Sequence, residues 1–318
     1  MAAGPGGGLI RIGLSGWRYA PWRGRFYPKG LAQRRELEFA SRMFPSIELN
    51  GSFYSLQAPD SWRRWRDDTP PGFVFAVKGP RFITHILRLR DAATPLANFF
   101  ASGVLELGDK LGPLLWQLPP SMRFDAEVLG AFLALLPRDT AEARRLARRH
   151  DTRMAGRSAF GDRKSRPLRH AFEVRHGSFL DPAFVALLRR RNVALVVADT
   201  GGRYPDPEDQ PADFTYLRLH GPKELYASGY TAQGLDHWAA RASAWARGER
   251  PPDAKLAAPD KSRPGPRDLY CYFDNDAKVN APFDAAGLTE RLGRPSPLGP
   301  DGRFSFESSP LARPTHDR

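Results

Sequence analysis

The side chains in this sequence best suited to chemistry recur in one setting, alternating with apolar residues at the ends of short β-like runs. Glu48 and Asn50 alternate with Ile47 and Leu49, and Lys78 follows Phe75 and Val77. Glu173 and Arg175 alternate with Phe172 and Val174, and Arg218 and His220 with Leu217 and Leu219. A strand turns successive residues to opposite faces, and a face lying under helices must be apolar because an unpaired charge there is costly. The polar members of all four runs therefore point the same way. Glu48 and Glu173 are suited to general acid and base work, since burial and neighbouring charge tune carboxylate proton affinity. His220 is a third proton-transfer group. Lys78, Arg175 and Arg218 suit an anionic group, which arginine grips through two donors at once.

Other residues close the same runs or follow them: Arg81 and His85 after Lys78, Gln117, Asp199, and Asn275 with Asp276 in Asp274-Asn-Asp. With Asn50, Tyr54 and Tyr230 they complete the expected substrate-binding set. Trp17, Tyr19, Trp22, Phe53 and Tyr226 also follow strand-like runs and could stack on a sugar or base, although each alone suits core or lid packing. The competing account of the cluster is a set of inert ion pairs filling a lumen, for example Glu48 with Lys78. Glu48, His85, Glu173, Asp199, His220 and Asp276 are ligand types for a divalent metal. No metal-binding spacing such as H-E-x-x-H supports one, several cations share the site, and no cofactor is expected.

Eight runs rich in β-branched and aromatic residues must carry these groups: 9–17, 46–50, 73–80, 111–118, 168–176, 193–200, 214–221 and 268–276. Helix-like segments separate most of them. The clearest is 181–191, with a capping Asp181, Pro182 at the first helical position and arginines at the end. An apolar stripe marks 125–136, and another covers about 231–247. Alternating strands and helices without a dinucleotide-binding fingerprint indicate one α/β domain, a TIM-type (β/α)8 barrel over 9–292. Its chemistry belongs at the C-terminal strand ends. Residues 201–213 leave no room for a crossover helix, so the barrel is expected to be irregular between strands 6 and 7. Residues 249–267 read as a Pro-rich surface loop, and 1–8 and 293–318 as flexible tails.

The formal charge of +13 is unevenly spread. An Arg-rich insert at 138–169 carries eleven basic and four acidic side chains, a net +7 that makes nucleic acid a possible partner. A solvated helix accounts for the same run. The single cysteine, Cys271, the absence of a secretory leader and the lack of a long apolar stretch lead to the expectation of a cytoplasmic protein without a membrane partner. Oligomeric state is left open.

The motifs Gly13-Leu-Ser-Gly-Trp17, Glu48-Leu-Asn50 with Phe53-Tyr54, Phe75-Ala-Val-Lys78 with Thr84-His85, and Gln117-Leu-Pro-Pro120 occur in this order. Glu173-Val-Arg175 with Ser178-Phe179, Arg218-Leu-His-Gly221 with Tyr230, and Tyr272-Phe-Asp-Asn-Asp276 follow them. Together they resemble the YecE-like family, domain of unknown function 72, over roughly residues 10–290. The resemblance implies a β/α barrel and assigns no reaction; relatives show Asn-Asn-Asp where this chain has Asp274-Asn-Asp. Three functions remain. The first is a barrel enzyme using acid and base carboxylates on an anionic, phosphorylated or sugar-like small molecule. The second is a nucleic-acid binding or processing barrel of endonuclease IV-like architecture. The third is a non-catalytic ligand-binding or adaptor protein.

Overall fold

The computed structural model describes residues 7–259, 261 and 263–310. Eight parallel strands close into a barrel in chain order: β1 (Ile10–Ser15), β2 (Ser46–Leu49), β3 (Val74–Lys78), β4 (Leu111–Gln117), β5 (His170–Glu173), β6 (Ala194–Asp199), β7 (Phe214–Leu219) and β8 (Asp268–Phe273). Closure comes from the β1 to β8 pairing, in register from Ile10 opposite Leu269 to Leu14 opposite Phe273. The outer layer contains α1 (Glu36–Met43), α2 (Gly51–Tyr54), α3 (Pro59–Asp67), α4 (Ala93–Ala101), α5 (Ala126–Leu135), α6 (Thr140–Ala147), α7 (Pro182–Arg190), α8 (Ala232–Arg247) and α9 (Asn280–Arg291). This is the (β/α)8 architecture expected from the alternation of patterns. Among the described residues no helix is long and apolar enough to cross a membrane.

Local chemistry explains where the helices begin. The Asp125 carboxylate accepts from the amides of Glu127 and Val128, Asp139 from Glu142, Asp181 from Ala183, and the Thr231 hydroxyl from Gly234. Each satisfies amides that the first helical turn leaves unpaired. Gly248, at φ 81°, ends α8 in a left-handed conformation.

The strands divide into two faces as alternation requires. Leu14, Ile47, Val77, Trp116, Phe172, Val197, Leu219 and Phe273 lie in the main core under the helices. The lumen holds a smaller cluster that includes Ala76, Leu115, Ala171, Val196, Tyr216 and Tyr272. Small residues on β3, β5 and β6 make room for tyrosines from β7 and β8, whose Tyr216 and Tyr272 ring centroids lie 5.3 Å apart. Gly13 faces this crowded interior, and a Cβ there would come within 2.0 Å of the Ser46 carbonyl. The Gly13–Gly16 stretch therefore serves close packing. Cys271 lies on the core face, where burial pushes its thiol up and leaves it unreactive.

As expected, residues 200–213 form no helix among those described; what replaces it is the other Pro-rich loop. Asp209 accepts from the amides of Ala257 and Ala258, and the Glu208 amide donates to the Lys255 carbonyl. Glu208 in turn holds Arg241 of α8 at 2.9 Å. The segment 249–267 is thus partly a strap, with Ala258 buried.

One further expectation is corrected. Of the presumed tails, residues 1–6 and 311–318 lie outside the described residues, but 293–310 pack on the barrel. Phe304 is 4% exposed against Phe26, Phe44 and Phe283, because α1 and α9 leave an apolar surface that its ring covers. In the Arg-rich insert part of the charge is engaged. Arg138 pairs with Glu142, Arg166 with Asp109 and Asp162, and Arg144 donates to the carbonyls of Asp162, Arg163 and Lys164. Arg169 turns into the lower lumen and pairs with Asp268 at 2.8 Å. Asp109 lies two residues before β4, which places Arg166 at the end of the barrel opposite the strand C-termini.

Candidate functional site

At the C-terminal end of the lumen the strands deliver a buried polar cluster centred on Arg218 of β7. Its guanidinium donates to Glu48 through Nε (3.0 Å) and Nη2 (2.8 Å), to Glu173 through Nη1 (2.5 Å) and to Asp274 through Nη2 (2.8 Å). Arg218, Glu48 and Glu173 are each no more than 1% exposed. The remaining lone pairs are also occupied. Glu48 accepts from Ser15 (2.8 Å) and Tyr216 (2.7 Å), and Glu173 from Gln117 (2.9 Å) and Arg175 (2.8 Å). Burial alone would raise the Glu173 pKa, but Arg175, Arg218 and the other cations overcome it and hold the carboxyl well below its usual range. Asn50 is tied in through a 2.8 Å hydrogen bond from Nδ2 to the Ser15 hydroxyl.

The β3 side of the mouth is different. Lys78 is 9% exposed, and its Nζ makes no hydrogen bond or ion pair among the described residues; it lies 4.2 Å from the centroid of the Phe53 ring. The anticipated Glu48–Lys78 pair does not form, because Arg218 brings more donors to Glu48. Burial, with Arg218 adding to it, lowers Lys78 to about 8. Three residues on, Arg81 is exposed and has no ion pair among the described residues. His85, on a one-turn π-helical segment Phe82–Ile86, meets Phe53 edge-on at 5.1 Å. Burial and then the charges of Lys78, Arg175 and Arg81 press His85 down to about 4. Arg175 also donates to the Tyr226 hydroxyl at 3.1 Å and lies over the Tyr204 ring. Tyr54, 72% exposed, meets Phe53 edge-on, and Phe82 and Ile86 on either side of His85 are exposed as well.

The β8 side is acidic. His220 is fully buried, with Nδ1 2.9 Å from Asp274 Oδ2 and Nε2 4.0 Å from Glu173 Oε2. Burial opposes ionisation of Asp274, but Arg218 and His220 hold it low, to about 2. Asp276 goes the other way: burial and then the charge of Asp274 raise it well above the carboxylate range. Its Oδ1 is buried and makes no hydrogen bond, and Tyr19 is its neighbour. Two carboxylates two residues apart are thus pushed in opposite directions, a pattern common where one acid donates a proton and another stays charged. The loops carrying them are cross-tied by the Tyr226 amide to the His220 carbonyl and the Ala277 amide to the Tyr226 carbonyl. Tyr226 and Val279 occupy left-handed backbone conformations, φ 66° and 63°.

The cluster therefore brings together Glu48, Asn50, Lys78, Arg81, His85, Gln117, Glu173, Arg175, Arg218, His220 and Asp276. Asp199 and Tyr230 stand apart. They hydrogen-bond each other at 2.9 Å and line a cavity of about 440 Å³ between β6, the 200–213 loop and α8. Alternation predicts this, since Ala194, Val196 and Ala198 face the lumen and Asp199 must face out. Asn275 also turns away, its Nδ2 donating to the Ser228 carbonyl and to Asp284. Trp17 and Trp22 are buried in the outer core. The residue sequence reasoning underused is Asp274. With Tyr270 and Tyr272 inward on β8, the same period places Asp274 inward and Asn275 outward. Ser15 and Tyr216 carried no comparable signal. Among the described residues no three His, Cys, Asp or Glu side chains are grouped to hold a metal ion, and the oxygens of Glu48 and Glu173 are already occupied by donors.

Comparison with known proteins places these features in context. A family model described as protein of unknown function DUF72 matches residues 11–302. UPF0759 protein YunF of Bacillus subtilis is 31% identical over 117 residues, 35% of this chain and 40% of that protein. UPF0759 protein YecE of Escherichia coli is 32% identical over 111 residues, 35% of this chain and 38% of that one. The matched stretch thus spans about two fifths of either relative. A DUF72 family crystal structure from Thermotoga maritima superposes with a TM-score of 0.66 at 22% identity, covering 90% of this chain and all of that one. A second, from Enterococcus faecalis, gives 0.63 at 16%, covering 90% and 96%. At these identities the likeness is one of fold.

Proposed function

We propose, for a chain that belongs to the DUF72 family of proteins of unknown function, that the barrel mouth performs acid–base chemistry on a small or medium anionic substrate, phosphorylated or sugar-like. The observation that carries this reading is an uneven pairing of charge. Every carboxylate around Arg218 is engaged, while among the described residues Lys78 and Arg81 stand without an ion-pair partner on the β3 side and, with Arg175, depress His85. Buried positive charge without a counterion is costly, and a bound anion relieves it. Arg81 and Arg175 then hold the anionic group with Lys78 beside it, and the exposed Tyr54 ring offers a flat face to the rest of the substrate.

The proton-transfer roles differ from those first assigned. Glu48 and Glu173 serve as fixed negative charge that orients Arg218 and Arg175. Asp276, kept protonated by its surroundings, is the general acid. His220, backed by Asp274, is the general base.

Calorimetric titration with inorganic phosphate and with glucose 6-phosphate tests the anion site. Wild type is expected to bind, and Arg81→Ala to weaken binding about tenfold, the effect of losing about 1.4 kcal/mol. Equal affinity in the two proteins, or no binding by wild type, overturns the reading. Nucleic acid is not favoured as the occupant, because the insert's charge lies at the opposite end of the barrel.

A further inference from the structure

Lys78 differs from the other cations of the mouth in being a nucleophile as well as a charge. It is the last residue of β3, inside the lumen, whereas Arg81 lies beyond the strand on the exposed rim. Four carboxyl groups, Glu48, Glu173, Asp274 and Asp276, stand at the same end of the barrel, yet none lies within ion-pair distance of Lys78 Nζ among the described residues. A lysine serving only to balance charge would be expected to take one of them. Instead the amine is backed by the Phe53 ring, and the Ser52 hydroxyl ties down the Lys78 carbonyl at 2.7 Å. Although the ring face attracts the ammonium, burial of an amine with no carboxylate in ion-pair range favours its neutral form, which is the form that attacks a carbonyl carbon.

We propose that Lys78 forms an imine with an anionic aldehyde or ketone whose charged group is held by Arg81 and Arg175. This rests on the anion-binding reading above and narrows its substrate to a carbonyl compound. The step conserves atoms. The amine nitrogen forms a C=N bond with the carbonyl carbon, the C=O bond breaks, and the oxygen leaves as water with the two amine hydrogens. No oxidant or reductant is needed. With burial bringing Lys78 to about 8, about one molecule in ten carries the free amine at pH 7, roughly two-hundredfold more than at an ordinary exposed lysine.

The test uses the whole protein at pH 7 with glyoxylate, an anionic aldehyde, and sodium cyanoborohydride, which reduces an imine to a stable secondary amine. Peptide mapping by mass spectrometry then compares Lys78 with the exposed Lys29 in the same sample. Lys78 is expected to be carboxymethylated at least tenfold faster than Lys29. Inorganic phosphate should slow it, and uncharged acetaldehyde should show a smaller preference for Lys78. Modification of Lys78 no faster than Lys29 overturns the imine. Because the comparison is internal to the wild-type protein, it does not depend on a variant folding; in Lys78→Arg the trapped product at this peptide should vanish. Phosphate binding, measured separately, distinguishes the two failures. If it persists while Lys78 goes unlabelled, the imine alone falls, and if it is also absent the anion site falls with it.

Discussion

Arg218 is surrounded by Glu48, Glu173 and Asp274, all buried with it, and the worth of this arrangement depends on its being complete. Removing one partner leaves a buried charge under-compensated, which costs more than the pair contributed. Glu173→Gln, a substitution that would be conservative at an exposed active-site acid, is therefore expected to lower unfolding free energy by about 3–5 kcal/mol in urea titration. A loss under about 1 kcal/mol would contradict the network. The pH dependence has a definite sign. Glu173 ionises more readily in the folded protein, so its contribution is present above its ordinary value of 4.5 and fades as pH falls below it. Residue types made Glu48, Lys78, Glu173, Arg175, Arg218 and His220 readable as members of one site. Their division of labour was not readable, because which carboxylate is neutralised depends on distances between strands far apart in the chain.

At the scale of elements, β4 and β5 are joined by a side-chain link outside the lumen. Trp116 Nε1 donates to His170 Nδ1 at 3.1 Å, which leaves the other ring nitrogen to donate its proton to the Pro137 carbonyl at 2.8 Å. Both ring nitrogens are thus committed to the neutral form, and burial lowers His170 to about 4. Between pH 6.5 and 4 the unfolded chain takes up a proton that the folded one refuses. Stability falls as pH drops through that window, by up to about 3 kcal/mol from this group. His170→Asn, which retains an acceptor for Trp116, should flatten the difference in stability between pH 7 and pH 4.5 relative to wild type. Parallel slopes for the two proteins would remove His170 from the account. Strand positions were legible to within a few residues because all eight runs combine β-branched and aromatic residues with turn signals at their ends. The helices at 126–135, 182–190 and 232–247 were legible from caps and apolar stripes. The strapping of 200–213 to 249–267 was not, since its bonds join irregular loops without periodicity.

Taken as a whole, the molecule is a barrel whose two ends are both charged but differently used. The lower end pairs Arg11 and Arg169 with Asp268 and carries the insert, while the upper end gathers its carboxylates on Arg218 and Arg175. The terminal segment is part of this body. Phe304→Ala is expected to cost about 3–5 kcal/mol, as for a buried aromatic, measured by urea unfolding; a change near zero would show that 293–310 do not dock. Composition marked that segment as a tail because proline, glycine and serine dominate it, and two phenylalanines were too few to give a periodic signal. By itself the sequence determined the strand runs and the alternation of their faces. These follow from period and polarity, which are local. Only the tertiary structure decided that Arg218 takes up the carboxylates and that Lys78, among the described residues, is left without one. Pairing is a competition between groups brought together by barrel closure, and its outcome depends on distance and burial.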